Sequence, residues 1–204
     1  MPEAQVYLAF FVATFLFMII PGPNVALIVA NSMALGTRSG VFTVLGTCSA
    51  MVLQLILIAF GIAGAMRVLG AWLDWLRWLG VVYLLYLGIR QWRAAEVAPI
   101  SAPQADVARS PYIAGLVVSL VNPQTLLFYV AYFPQFVDVQ RPVAVQMILF
   151  GATFVVLALL IDGSWALAAG RARVALNANT KLRNRLSAAL LLLVGLGLAL
   201  VRAR

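Results

Sequence analysis

The sequence contains no histidine, one cysteine and few charged residues, and each scarcity excludes a class of protein. Only 10% of the 204 residues are charged, whereas 64% are hydrophobic, which is too little charge to cover a water-soluble globule of this length. Without histidine, His-based acid–base catalysis, Ser-His-Asp triads and His-ligated zinc are excluded. The single Cys48 cannot form an intrachain disulfide, and we interpret it as a small buried hydrophobic residue.

The sequence also lacks the phosphate-binding motif of proteins that hydrolyse ATP. No G-x-x-x-x-G-K pattern occurs, so ATP hydrolysis on this chain is not expected. The apolar segments offer no paired nucleophile and base, which argues against an enzyme. We expect no cofactor and no bound metal.

Long apolar runs dominate the chain instead. A helix needs about 20 mainly apolar residues to cross roughly 30 Å of hydrocarbon. The sequence therefore predicts an all-α integral membrane protein with six transmembrane helices, at residues 6–34, 41–66, 72–89, 113–137, 143–170 and 186–201. The last run has only 16 residues, which leaves five spans as the alternative. Its aliphatic sequence, and the ability of Arg202 and Arg204 to reach the interface, favour six.

The first apolar run could also be a signal peptide. It has no Lys or Arg before it and stays apolar well beyond any cleavage site. We therefore expect it to be retained as a span.

The basic residues behind the net charge of +8 are placed as membrane topology predicts, and not as in a nucleic-acid-binding surface. Nine of the 14 Lys and Arg residues fall in the first, third and fifth loops between the predicted spans. The positive-inside rule places those loops in the cytoplasm and both termini outside. Because the basic residues are distributed over several loops, no nucleic-acid partner is expected.

The chain divides into two halves of three spans. Residues 91–112 form a polar stretch rich in Ala, Pro and Ser, which we interpret as a cytoplasmic linker between repeats at 1–90 and 113–204. Pro23-Asn24 in the first span aligns with Asn122-Pro123 in the fourth. An odd number of spans per half requires the second half to enter the membrane in the opposite orientation. The sequence thus predicts two inverted three-helix repeats, an architecture common among secondary transporters.

Each half begins with a span that should be broken. Proline inside a helix removes a backbone donor and clashes with the carbonyl four residues back, so Pro21, Gly22 and Pro23 should unwind a turn. Unpaired backbone groups persist at membrane depth only beside protein or a water-filled cavity. The helix N-terminus near Asn24 would favour an anionic group such as a substrate carboxylate. The alternative is a structural kink with Asn24 bonded to a neighbouring helix.

The matching break lies in the fourth span. Its candidate site residues are Asn122, Pro123 and Gln124, and Asn122 offers a second amide with both donor and acceptor.

Asp162 is the only acidic residue well inside a predicted span. An ionised carboxylate there costs about 2.5 to 3.5 kcal/mol, so it should face the bundle interior and be paired or protonated. It can pair with a substrate ammonium, carry a proton, or alternate between the two. An interfacial position with an ion pair to Arg171 or Arg173 is the alternative.

Several motifs carry a resemblance to a known family. Pro21-Gly-Pro-Asn24, Gly36-Thr-Arg-Ser-Gly40, the third-span run ending at Arg90 and the run from Asn122 to Phe136 resemble, in order and spacing, the LysE/RhtB family of bacterial amino-acid exporters. Ala50 departs from the glycine that the resemblance leads one to expect.

The resemblance implies an inner-membrane exporter of amino acids or close derivatives, driven by the proton motive force. Its partners would be an amino-acid substrate, protons and the lipid bilayer, and Asp162 would couple substrate release to proton uptake. The sequence leaves a homo-oligomer open. Two alternatives are a divalent-metal exporter, which would need several carboxylates or soft ligands, and a membrane assembly protein that transports nothing.

Overall fold

The computed structural model describes residues 2–59, 78, 81–82, 85–86, 88–89, 92–93, 110–138, 140–175 and 180–200, and all regular structure in them is helical. Most of the predicted third span at 72–89 and of the linker at 91–112 lies outside the described residues, as do Arg202 and Arg204. The α-helices are α1 (Ala4–Ile19), α2 (Pro23–Leu35), α3 (Thr37–Ala59), α4 (Pro111–Leu120), α5 (Pro123–Leu127), α6 (Val143–Ala175) and α7 (Thr180–Leu200).

The helices confirm an all-α protein of membrane character. Two of the described helices, α3 and α6, are long and apolar enough to cross a bilayer, and α1 with α2 qualifies as one span bent by 51°. Shorter apolar helical stretches are α4 (Pro111–Leu120) and the part of α7 from Asn184 to Leu193. The six-span inverted repeat stays a prediction.

The first break lies where the prolines predict it. α1 ends at Ile19 and α2 begins at Pro23, because a proline at the first helical position needs no intrahelical acceptor for its missing N–H. Each proline also disfavours helical geometry in the residue before it, and both Ile20 and Gly22 are extended. The break is therefore fixed by residues on its own chain segment.

The fourth apolar segment is less regular than predicted. α4 ends at Leu120, α5 lasts five residues, and a π-helical turn (Phe128–Tyr132) and a 3₁₀ turn (Phe133–Phe136) follow. Pro134 accounts for part of this, since it cannot donate a backbone hydrogen bond to a continuing helix. Irregular turns inside a helix often occur at functional sites.

α1 and α6 run side by side in the same direction. The residues just before the two helices are joined by an ion pair of 2.9 Å between Glu3 and Arg141, and the Tyr7 and Thr153 hydroxyls lie 2.9 Å apart. One face of α6 is buried at every fourth residue, as a helical period requires. These residues are Gln146, Phe150, Phe154, Ala158 and Asp162. Asp162 therefore lies on the core face of its helix.

Aromatic rings fill the part of the core that lies between the N-terminal ends of α1 and α6 on one side and the middle of the bundle on the other. Phe10 contacts Phe150, Phe133 and Phe136 at ring-centroid distances of 4.5, 5.4 and 5.3 Å. The edge-to-face geometry of most of these pairs is the favoured one. This aromatic cluster separates the charged end of the bundle, with Glu3 and Arg141, from the segment that carries Asp162.

Two glycines bring α3 and α4 into close contact. A Cβ atom at Gly46 would meet the Tyr112 carbonyl oxygen, and one at Gly115 would meet the Thr43 carbonyl oxygen. Small residues at helix crossings allow backbones to approach in this way. Ala50, the departure from the family pattern, is fully buried one turn further along α3. The close crossing holds the end of α4, and with it the second break, against α3.

Candidate functional site

The two helix breaks meet and are hydrogen-bonded to each other. The Asn122 amide donates to the Asn24 side-chain oxygen over 3.1 Å, and the Asn24 amide donates to the Ser119 hydroxyl over 3.3 Å. Ser119 in turn donates to the Thr47 carbonyl over 3.2 Å. Asn24 and Asn122 are 6% and 3% exposed. The two segments aligned from sequence are thus in direct contact through Asn24 and Asn122, although 98 positions separate these two residues.

The carbonyl groups at the end of α4 have a partner of their own. The Gln54 amide on α3 donates to the carbonyls of Ser119 and Leu120, both over 3.1 Å. The last carbonyls of a helix lack intrahelical partners, and in a membrane they need other donors. The Ser119 carbonyl also accepts the Asn122 N–H over 3.2 Å. Gln54 therefore stabilises the second break from the side of α3.

A small cavity of about 40 Å³ lies where the breaks meet. Its polar lining comes from Asn24, Asn122, Gln124, Thr125 and Asp162. Its apolar lining comes from Phe17, Met18, Ile20, Val25, Met51, Phe154 and Ala158, and Gly22 completes it. A carboxylate and several amides beside an apolar wall suit a small molecule with a charged end and a hydrocarbon part. The volume is enough for water but far below that of ligand pockets, so binding requires the cavity to widen.

Asp162 is buried in this cavity without a compensating cation. Its side chain is 5% exposed, and no described residue forms an ion pair or a hydrogen bond with its carboxylate. The Arg173 guanidinium lies against Gly36 instead, and Arg171 is exposed. The ion pair with Arg171 or Arg173 that the sequence left open is therefore not formed. A proton or a cationic ligand is needed to offset the burial of this charge.

The cavity contains five of the eight residues predicted for the site. Gly22, Asn24, Asn122, Gln124 and Asp162 line it. Gly22 also lies directly against Gln124, because a Cβ atom there would meet the Gln124 side-chain oxygen.

Pro21 and Pro23 of the prediction are not among the residues that line the cavity. The side chain of Pro21 is exposed and that of Pro23 is buried beside the cavity. Pro123 begins α5, and its side chain lies outside the described residues. Pro21 and Pro23 thus shape the backbone rather than the cavity wall.

Sequence reasoning missed the apolar wall. Phe154 and Ala158 lie two turns and one turn before Asp162 on the same helical face, so helical periodicity from Asp162 could have identified them. Met51, Phe17 and Thr125 carry no comparable signal, since their place in the cavity depends on how the helices are rotated against one another.

The N-terminus of α2 presents unpaired backbone donors. Its N-cap residue, Gly22, supplies no side-chain acceptor, and no described group accepts the N–H of Asn24 or Val25. Both residues line the cavity. The first N–H groups of a helix and its dipole together favour an anion.

The N-terminus of α5 has one of its backbone donors satisfied by its own N-cap. The Asn122 side chain accepts the Gln124 N–H over 3.0 Å, which is the usual role of asparagine at an N-cap. The two breaks therefore differ in what they can offer a ligand.

The described residues hold no cluster for a metal ion. No three His, Cys, Asp or Glu side chains come together among them. Of the described residues that line the cavity, only Asp162 has a carboxylate.

Comparison with known proteins finds a family match over most of the chain. A family model described as "LysE type translocator" matches residues 15–202. A protein of Vibrio cholerae serotype O1 named "Uncharacterized membrane protein" is 29% identical over 210 residues, covering 98% of this chain and 100% of that protein.

Two relatives from Salmonella have functional names. A "Homoserine/homoserine lactone efflux protein" of Salmonella typhimurium is 26% identical, over 96% of this chain and 97% of that protein. A "Leucine efflux protein" of Salmonella choleraesuis is 31% identical, over 67% of this chain and 65% of that protein. No solved structure gives a significant match.

Proposed function

Since the chain belongs to the LysE type translocator family, we propose that it is a secondary active exporter of amino acids or close derivatives in the bacterial inner membrane. The membership confirms the resemblance read from its motifs and makes the chain a transport protein rather than an enzyme. Relatives named for the efflux of homoserine and of leucine support an amino-acid substrate.

The meeting of the two breaks at a cavity with one buried carboxylate is the observation that carries the proposal. The substrate carboxylate binds at the open N-terminus of α2, where the N–H groups of Asn24 and Val25 have no described acceptor. The substrate ammonium pairs with Asp162, whose charge has no described partner. A zwitterion thereby satisfies an unpaired donor group and an unpaired acceptor group in one step.

Asp162 is the proposed site of proton coupling. A proton from outside neutralises the carboxylate and releases the substrate ammonium, so that proton entry accompanies substrate exit. Each tenfold outward gradient costs about 1.4 kcal/mol, and one proton entering down 100 mV yields about 2.3 kcal/mol. One proton per neutral substrate therefore sustains a gradient of roughly fifty-fold.

Alternating access in a six-span inverted repeat is the proposed mechanism. The Asn24–Asn122 hydrogen bond, which joins the two helix breaks, supports a site at the repeat interface. The positive-inside rule favours both termini outside. Rocking of the halves about this site would expose it to each side in turn. The aromatic cluster around Phe10 would then have to separate for exit to the outside.

A divalent-metal exporter fits the site less well. Hard divalent ions need several oxygen ligands, and softer ones need thiolate or imidazole. The cavity offers one carboxylate, from Asp162, among the described residues.

Flux measurements in proteoliposomes test the proposal. Wild-type protein should release labelled amino acids and should take up protons as it does so. Asp162→Asn should bind substrate weakly and lose proton uptake. Asp138→Asn is the matched control, because Asp138 is an exposed acid outside the cavity and its replacement should leave flux unchanged. Unaltered proton-coupled efflux in Asp162→Asn would remove that residue from the mechanism. Failure of every amino acid to move would refute the export function itself.

A further inference from the structure

We propose that the cavity selects neutral amino acids with apolar side chains, and that Ala158 sets the limit on side-chain size. The inference rests on the proposed export function and concerns which amino acids the same site accepts.

The charges of the lining exclude charged side chains. Among the described residues that line the cavity, Asp162 is the only ionisable group of either sign. When the substrate ammonium pairs with it, this described lining offers no second carboxylate for the side chain of lysine or arginine. It also offers no Lys or Arg to pair with the side chain of glutamate or aspartate. Burying such a charge without a partner is strongly unfavourable, so the side chain must be neutral.

The arrangement of the lining favours an apolar side chain. Asn24, Asn122 and Gln124 come from the two breaks, whereas Phe17, Met51 and Phe154 come from α1, α3 and α6. With the substrate held by its carboxylate at α2 and its ammonium at Asp162, its side chain is left to contact these apolar residues. Each further methylene buried there should tighten binding about fourfold.

The wall can also adapt to different shapes. Met18 and Met51 both contribute to it, and methionine side chains are unbranched and flexible enough to repack around different ligands. We therefore expect leucine, methionine and norleucine to bind with similar affinity. A side-chain hydroxyl finds no partner on this wall, so homoserine should bind more weakly than leucine.

Ala158 occupies the position where a substrate side chain must fit. It is 1% exposed and lies one turn from both Phe154 and Asp162 on the buried face of α6. It is the smallest side chain of the apolar wall. A larger residue at this position would fill the space next to Asp162 that a substrate side chain enters when the cavity widens.

Ala152 provides a matched control on the same helix. It is exposed and lines an apolar groove between α3 and α6 on the outer surface, away from the cavity. The same replacement by leucine there adds the same volume without reaching the site.

Counterflow of labelled leucine in proteoliposomes tests the inference without requiring proton coupling. For the wild type, leucine and methionine should compete strongly, homoserine less, and lysine and glutamate not at all. Ala158→Leu should lower the ratio of leucine to alanine transport about tenfold, whereas Ala152→Leu should leave the ratio at the wild-type value. Competition by lysine or homoserine equal to that by leucine would overturn the inference, as would an unchanged ratio in Ala158→Leu.

A second variant covers loss of folding in the first. If Ala158→Leu transports nothing, Ala158→Gly decides, because added space should raise the ratio of phenylalanine to leucine transport at least threefold. An unchanged ratio there would refute the role of Ala158. If the wild type transports lysine but not leucine, the proposed selectivity is wrong and the proposed export function stands. If the wild type moves no amino acid at all, the export function itself fails.

Discussion

The two helix breaks are built from the same residue types but leave their backbone donors in different states. At the first break the N-cap is Gly22, which has no side chain to accept a hydrogen bond. At the second break the N-cap is Asn122, whose side chain accepts the Gln124 N–H over 3.0 Å. An uncapped helix N-terminus attracts anions, and a capped one has already used part of its capacity. The first break is thus suited to a ligand and the second to holding the first.

The helices that follow the breaks differ in the same sense. α2 has 13 residues and is regular, whereas α5 has five and passes into π-helical and 3₁₀ turns. A longer run of aligned peptide units gives the larger dipole at its N-terminus. Asn24 and Asn122 then connect the two breaks through a buried hydrogen bond. Two similar sequence patterns thus give two different structures: the first break is suited to bind a ligand, and the second break supports the first.

Replacing each asparagine by aspartate in turn should have the largest effect on efflux and should distinguish the two breaks most clearly. Asn24→Asp introduces a negative charge beside the α2 N-terminus, where it repels the substrate carboxylate. We expect kcat/KM for efflux to fall about 100-fold or more. Asn122→Asp keeps an acceptor for the Gln124 N–H and should cost less than about tenfold. Equal losses in the two variants, measured as efflux from proteoliposomes, would contradict the distinction between the breaks.

Gly22→Ala should have the next largest effect, because its Cβ would meet the Gln124 side-chain oxygen. Pushing the breaks apart should reduce efflux about tenfold, or roughly 1.4 kcal/mol. Gln124→Ala in the same chain should restore part of the loss by freeing space, which a double-mutant cycle measures. Gly163→Ala is the control, since a Cβ there meets nothing within 4 Å, and we expect full activity from it.

Ser119→Ala tests whether the second break supports the first through Asn24. The substitution removes the acceptor of the Asn24 amide and the donor to the Thr47 carbonyl. We expect a loss of about 1 kcal/mol in stability, seen as a lower melting temperature in detergent, and an efflux rate reduced a few-fold. Ser49→Ala is the control, because Ser49 is bonded only to its own helix at Leu45. A similar loss in both variants would argue against the supporting role.

Pro21→Ala should have the smallest effect. Pro21 is exposed and does not line the cavity, and Pro23 still begins α2 and disfavours helical geometry at Gly22. We expect efflux within about twofold of wild type, because the break survives on Pro23 alone. A loss comparable to that in Gly22→Ala would mean that the first proline, rather than the approach of Gln124 to Gly22, sets the geometry of the site.

The places of the breaks and of the buried acid could be predicted from the sequence. A proline lacks its N–H in any surroundings, so Pro21, Pro23 and Pro123 interrupt helices wherever the chain folds. Asp162 had to lie on an interior face because a carboxylate on a lipid-facing surface is unfavourable. The membrane class follows from composition in the same way. The irregular backbone from Phe128 to Phe136 was not predicted, since only Pro134 marks it in the sequence.

The sequence by itself determined the features that depend on a few neighbouring residues: apolar helices, two breaks and one buried carboxylate. Only the tertiary structure decided that Asn24 pairs with Asn122, that Arg173 lies at Gly36 rather than at Asp162, and that Met51 belongs to the cavity wall. Covalent chemistry and helical periodicity act over a turn or two of the chain. Contacts between distant residues depend on how the helices are rotated and packed against one another. For α3 and α4 this arrangement is set by the close crossing at Gly46 and Gly115, which exists only in the packed structure.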